Sequence, residues 1–191
     1  MVRLNEISKS IISTMPSPPK TVAITVSLMI LGFILIGCQK PELRSEEWKQ
    51  NRIMAIYRRY AQEFPQVTDI TVEELQQLQQ QDQELVLVDV RSPAERAVSF
   101  IPGAISTEEF ERNLAQYKQK TIVAYCTIGY RSGKYAQMME QYGVTILNLE
   151  GSLLAWSHIQ GQLINTQGVT NQVHVFGRQW QLAAENYEPI W

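Results

Sequence analysis

The residues from Cys126 to Ser132, Cys-Thr-Ile-Gly-Tyr-Arg-Ser, are the part of this chain best suited to chemistry. A cysteine reacts as its thiolate, and a free thiol is mostly protonated near neutral pH, so a reactive cysteine needs surroundings that favour the anion. The segment supplies them in three ways. It follows an apolar run, Thr121–Tyr125, and precedes a helical pattern starting near Ser132, so successive backbone N–H groups can curl around the sulfur as an anion nest. The positive end of the following helix points at the same place. Gly129 permits the tight curl because positive φ carries no steric cost for it, and Arg131 adds a charge that does not titrate. The chemistry implied is attack by a Cys126 thiolate, with an extra sulfur held on it as an anion.

Such a loop must be carried by regular elements, and strand and helix patterns alternate around it. Residues 85–90 (LVLVDV) form a near-continuous apolar run, as a parallel strand covered on both faces does. Thr71 and Glu74 stand in capping-box spacing at the start of a predicted helix, 71–80. Ser92-Pro93 gives an N-cap and an N1 proline for a short helix. A brief strand at 104–105, a helix over 108–117, the strand at 121–125, a helix over 132–142 closed by Gly143, a strand over 144–149 and a helix over 152–159 complete the pattern. In the helix over 132–142, Tyr135, Met138 and Met139 are expected to face inward. Repeated βα units of this length call for an α/β fold, a central parallel sheet with helices on both faces and right-handed crossovers. Ligands in such sheets bind at the carboxyl ends of strands, where Cys126 falls. Beyond 161 the pattern weakens to an extra strand at 173–176 and an extra helix at 178–185.

Three motifs, in order, resemble those of the rhodanese-like family. The active-site loop of that family, cysteine-x-x-glycine-x-arginine-serine, matches Cys126 to Ser132. Its Asp-x-Arg-x-x-x-Glu stretch leading to Ile-Pro-Gly-Ala matches Asp89 to Glu95 and Ile101 to Ala104. Its apolar-asparagine-apolar strand with Glu-Gly and an aromatic matches Leu147-Asn148-Leu149-Glu150-Gly151 and Trp156. The resemblance covers 67–161 and implies a three-layer fold and a sulfurtransferase. Cys126 would attack a small anionic sulfur donor, thiosulfate-like or persulfide, and pass the sulfur to a thiol or cyanide acceptor. Arg131 would act with it by orienting the donor. Thr127, Ile128, Gly129, Tyr130 and Ser132 would surround the bound sulfur, and Asp89 and Arg91 would brace the loop as an ion pair. Neither a cofactor nor a metal is implied. Two departures stand out: Phe100 replaces a histidine common before Ile-Pro-Gly, and Thr127 and Ile128 are uncharged where thiosulfate-using relatives carry a basic residue.

The remaining chain is read as flanks. At 191 residues there is room for one ordinary domain with extensions. A net charge of −2 gives no basic field that would argue for nucleic acid. Residues 21–37 hold no charge and follow Lys20, as a membrane-directed segment does. They end Leu35-Ile36-Gly37-Cys38, which resembles a bacterial lipobox, so 1–37 is expected to be a signal peptide with Cys38 lipidated, or else an uncleaved anchor. A start at Met15 would give a more usual lead segment. Either reading puts the domain on the extracytoplasmic side, held to the membrane. Within the tether and helix of 38–66, Ile53, Tyr57, Tyr60 and Phe64 share one helical face. Docking of that face on the domain is favoured over a basic helix lying on lipid. The segment 162–191 is expected to pack on the domain as an extension, and the sequence names no protein partner.

Rival chemistries fit less well. Loops of the tyrosine-phosphatase type place five residues between cysteine and arginine to fit a phosphate; here four intervene, and no acid stands nearby in sequence. A membrane-anchored binding or sulfur-carrier module that keeps the loop without turnover is the main alternative. His158 and His174 lack metal-ligand spacing and read as packing residues, as do Trp48, Trp156, Trp180 and Trp191. Cys38 and Cys126 sit in such different contexts that no disulfide between them is expected.

Overall fold

Two apolar five-residue strands, β2 (Leu85–Asp89) and β4 (Thr121–Tyr125), lie side by side in register from Leu85 opposite Thr121 to Asp89 opposite Tyr125. Parallel strands need a crossover between them, and the chain supplies it in helical form each time. A computed structural model describes residues 45–81 and 84–191. Cys38, the apolar run 21–37 and most of the tether therefore lie outside the described residues. Around the central pair, β1 (Asp69–Ile70), β5 (Leu147–Leu149) and β3 (Ile105–Ser106) complete a five-stranded all-parallel sheet in the order β1-β5-β4-β2-β3.

Helices cover both faces, and each face has its own core. On one side Leu87, Val123, Tyr125 and Leu149 pack with Ile53 of α1 (Glu46–Ala61), Leu75 of α2 (Val72–Gln81) and Leu153 of a helix near the carboxyl end of the family motifs, Ser152–His158. On the other, Val86, Val88, Ile122 and Ala124 pack with Phe110 and with Ala136 and Met139. The helices of chain order after α2 are α3 (Pro93–Val98), α4 (Thr107–Arg112), α5 (Leu114–Tyr117), α6 (Tyr130–Glu140) and α7 (Ser152–His158). The α/β architecture expected from the sequence is the one found.

The details differ from the sequence reading where tertiary contact overrides pattern. The strand at 144–149 is paired only over Leu147–Leu149, because its neighbours offer partners to those residues alone. The helix over 108–117 is broken at Asn113 (φ −110°, ψ 20°), whose side-chain amide donates to Glu109 O at 3.0 Å. In α6 the inward stripe is Ser132, Gly133, Ala136 and Met139, while Met138 is 41% exposed. Small residues were required there: a Cβ on Gly133 would lie 2.3 Å from the Phe64 ring. The predicted helix over 178–185 is only a 3₁₀ turn, Arg178–Trp180, after which Leu182, Ala183 and Ala184 are buried in irregular chain.

The flanks pack closely on the sheet. In α1, Ile53 and Tyr57 are buried against the domain, so its apolar face is docked; a side chain such as Ile53 contributes about 1.5–3 kcal/mol. The C-terminal segment forms a hairpin of β6 (Leu163–Asn165) with β7 (Gly168–Thr170) and a parallel pair of β8 (Gln172–His174) with β9 (Glu188–Ile190). Phe100 anchors the hairpin by exchanging backbone hydrogen bonds with Ile164, at 2.8 and 2.9 Å, and its ring faces the Arg96 guanidinium. Trp156 and the side chain of His158 are buried, whereas Trp48 and Trp191 are exposed.

Asp89 and Arg91 form a fully buried ion pair. Arg91 Nε and Nη2 donate to Asp89 Oδ1 and Oδ2 at 2.9 and 2.7 Å, and Nη2 also reaches Ser99 O at 2.6 Å. The Tyr125 hydroxyl donates to Asp89 Oδ2 at 2.7 Å and accepts from Ile101 N–H. The pair therefore clamps the ends of β2 and β4 to the chain that follows α3. Removing one partner leaves a buried charge uncompensated. Arg91→Ala is expected to destabilise the protein by about 3–5 kcal/mol in urea denaturation, with m unchanged; a loss below about 1 kcal/mol would mean that the clamp is dispensable.

Candidate active site: a thiol in a ring of amides

Cys126 is the first residue after β4, at the carboxyl end of the sheet, and is 2% exposed. Its loop ends in Gly129, which adopts φ +100° and caps α6. That conformation turns Gly129 N–H back onto Cys126 Sγ at 3.1 Å. A side chain at 129 would also collide with the ring of Tyr57, 2.5 Å from the nearest ring atom, so glycine is required twice over.

Burial alone pushes the Cys126 thiol up. Against it stand the Ser132 N–H, the Arg131 charge and the N–H groups of Ile128 and Gly129, and together they hold the thiol below its ordinary value. Thiolate is thus favoured by donors that the fold fixes in place, at the positive end of α6.

The loop is tied down from behind. The Asn148 side chain in β5 uses both ends: Oδ1 accepts from Ser132 Oγ at 2.6 Å, and Nδ2 donates to Gly129 O at 3.1 Å and to Tyr57 Oη at 2.9 Å. The Tyr57 hydroxyl donates in turn to Asp69, and burial beside that carboxylate raises its pKa beyond the normal phenol range. A second tie comes from α7, whose first N–H groups lack partners inside the helix. Leu153 N–H and Leu154 N–H donate to Cys126 O and Thr127 O at 3.2 and 3.1 Å. Ser152, held at φ +48°, presents its hydroxyl to Cys126 N–H at 3.1 Å.

The structure brings the predicted residues together but gives them unequal positions. Ile128, Gly129 and Ser132 aim N–H groups at the sulfur. The hydroxyl of Ser132 points away from it, toward Asn148. The Thr127 hydroxyl accepts from Arg131 Nη2 at 3.4 Å, and Tyr130 packs its ring on Tyr60, with centroids 4.8 Å apart.

Arg131 is not alone. Its Nη1 and Nη2 donate to Glu95 Oε2 and Oε1 at 2.8 and 2.7 Å, a two-pronged ion pair. Glu95 is fixed by the N-terminus of α3, where the Ser92 N–H and hydroxyl both donate to its carboxylate. Burial works to raise the Glu95 pKa, but Arg131 and Ser92 outweigh it and bring it to about 2. The nearby acid that the sequence did not place is therefore present, and it is an ionised partner of the arginine. Its signal was there: Ser92 and Glu95 have capping-box spacing, although nothing in the sequence ties α3 to a loop 36 residues away.

A hollow of about 220 Å³ opens onto the loop. Its floor is Cys126, Thr127, Ile128 and Arg131; its rim is Tyr60, Tyr130, Phe176 and Trp180. Phe176 lies over the Arg131 guanidinium at 4.9 Å. The aromatic rim was not foreseen, since Tyr60, Phe176 and Trp180 come from segments far from the loop in sequence. A hollow of about 270 Å³ between α1, α2 and α7 is larger but holds no cysteine.

Comparison with known proteins agrees with this geometry. A family model described as "Rhodanese-like domain" matches residues 71–159. A protein named "Sulfurtransferase" from Allochromatium vinosum is 34% identical over 95 residues, covering 48% of this chain and 89% of the relative. The chain belongs to the rhodanese-like family. A Synechocystis protein named "Uncharacterized protein slr1261" is 43% identical over 95 residues, which is 47% of this chain but only 52% of the relative, so the rhodanese-like match spans about half of that protein. A solved rhodanese-like domain protein from Staphylococcus aureus aligns with a TM-score of 0.43 at 30% identity, over 47% of this chain and 91% of the other. Both α1 and the C-terminal segment lie outside the matched rhodanese-like region.

Titrating the thiol tests the amide ring. The rate of Cys126 alkylation by iodoacetamide should rise to its plateau at a lower pH than for a free cysteine. In Arg131→Gln the lowering charge is gone, so the inflection is expected to move to higher pH. An inflection above that of free cysteine in the parent protein would show that burial wins.

Proposed function

We propose that this rhodanese-like protein is a sulfurtransferase that carries sulfane sulfur on Cys126. The single observation that supports it is a buried thiol with its pKa lowered by N–H groups of its own loop. In the first step the Cys126 thiolate attacks the outer sulfur of an anionic donor, thiosulfate-like or persulfide. With thiosulfate, a Cys126 S–S bond forms as the donor S–S bond breaks, sulfite leaves with the bonding pair, and the new persulfide anion occupies the amide ring. In the second step a thiolate or cyanide attacks that terminal sulfur and Cys126 leaves as thiolate. With cyanide the product is thiocyanate. Covalent storage predicts ping-pong kinetics.

A second reading, a non-enzymatic anchored module that binds a partner or stores sulfur, draws support from the near-complete burial of Cys126 and the occupied charge of Arg131. Intact-mass measurement separates a sulfur-carrying Cys126 from a module that only binds a partner, and turnover with cyanide separates the enzyme from a sulfur store. Incubation with thiosulfate or an organic persulfide is expected to add the mass of one sulfur atom, removable by cyanide and absent in Cys126→Ser. Failure of every donor to add sulfur would leave the module reading standing.

The protein is further proposed to work at a membrane on the extracytoplasmic side, held through lipid on Cys38 or through the apolar run before it. Among the described residues no helix is long and apolar enough to cross a membrane. Metabolic labelling with a tagged fatty acid in a bacterial host is expected to mark the parent protein and to leave Cys38→Ala unmarked. Persistent label in Cys38→Ala would rule out that cysteine as the modified residue.

A further inference from the structure

The walls of the hollow above Cys126 do not suit a small dianion. Among the described residues that line it, Arg131 is the only cation. Both of its terminal nitrogens already donate to Glu95, at 2.8 and 2.7 Å. The arginine's charge, which also favours the Cys126 thiolate, is thus shared with an ionised carboxylate before any donor arrives. The remaining wall is Cys126, Thr127, Ile128 and four aromatic side chains. Beyond the loop N–H groups that receive its outer sulfur, a dianion entering there would exchange water for largely apolar wall with one already paired cation, a costly transfer.

The same walls suit an apolar group. Phe176 is 50% exposed at the mouth while its ring lies over the Arg131 guanidinium. Trp180 and Tyr60 face the same space. None of these three falls in the region shared with the family, residues 71–159. They are supplied by α1 and by the C-terminal segment, which are held to the core by Tyr57, Val173, Val175 and Leu182. The hollow, about 220 Å³, is below the roughly 300–1,000 Å³ of sites for drug-sized ligands. It has space for a compact side group next to the reacting sulfur.

We propose that the rim of Tyr60, Phe176 and Trp180 makes this site selective for organic persulfides, R–S–SH with a small apolar R, over thiosulfate. The inference rests on the sulfur-carrier role of Cys126 given above and specifies its donor. R lies against the three rings, and the outer sulfur enters the ring of N–H groups. The Cys126 thiolate attacks that outer sulfur; the Cys126 S–S bond forms, the donor's own S–S bond breaks, and R–S⁻ leaves with the electron pair. The hydrogen stays on the transferred sulfur, giving Cys126–S–SH, which ionises within the amide ring. Charge and atoms balance without an oxidant or reductant.

The test uses the full chain with two probes, benzyl persulfide and thiosulfate, and compares their kcat/KM for loading Cys126. The parent protein is expected to favour benzyl persulfide by about tenfold or more, the scale on which an apolar pocket discriminates. Phe176→Ala and Trp180→Ala should each lower that ratio about tenfold, mainly through KM for the persulfide. Phe176→Arg places a new cation on an exposed rim position and should shift the ratio toward thiosulfate. Equal or better use of thiosulfate by the parent protein overturns the proposal, as does an unchanged ratio in Phe176→Arg. Absence of cyanide-releasable sulfur on Cys126 with both probes would instead remove the sulfur-carrier role itself, and this proposal with it.

Discussion

Everything at this site follows from placing an anion where there is almost no water. Burial opposes the Cys126 thiolate, and only fixed donors reverse that preference. A backbone can offer several N–H groups to one point only by curling, and curling requires a residue at positive φ. Gly129 meets that need at φ +100°. Once this is granted, the surrounding structure reads as a set of restraints on one short loop: Asn148 from beneath, the N-terminus of α7 from the side, and the start of α6 as its continuation.

The buried polar groups form two systems. Asp89, Arg91 and Tyr125 lock the ends of the central strands, and Asn148, Tyr57, Ser132 and Asp69 lock the loop. Apart from Arg91 Nη1, which is buried without a partner, the groups named in them meet defined partners, so their burial specifies geometry. The Arg131–Glu95 pair links α3 to the loop and sets the charge that an incoming molecule meets.

The centre of this fold was legible in the sequence because its signals are local. The run Thr121–Tyr125 is a strand with the bounds read from its apolar residues, and Ser92, Thr71 and Gly129 announced caps and turns that the structure contains. What was not legible depends on distance. Met138 looked as apolar as Met139, but Gly133 and Phe64 decide which face of α6 can approach the sheet. Glu95 and Arg131 are 36 positions apart, and only the sheet order brings them into contact. The aromatic rim joins segments from opposite ends of the described chain, and no periodicity encodes such a meeting.

Tyr57 fills the space above Gly129 and hydrogen-bonds with Asn148, although it belongs to a helix that precedes the stretch common to the family. The boundary of the family match and the boundary of the structure that packs around the nucleophile loop are therefore different lines in this chain. A fragment trimmed to the shared stretch would lose the lid of its own nucleophile loop. The leading helix, which resembles an accessory in sequence, is part of the machinery that shapes the thiol.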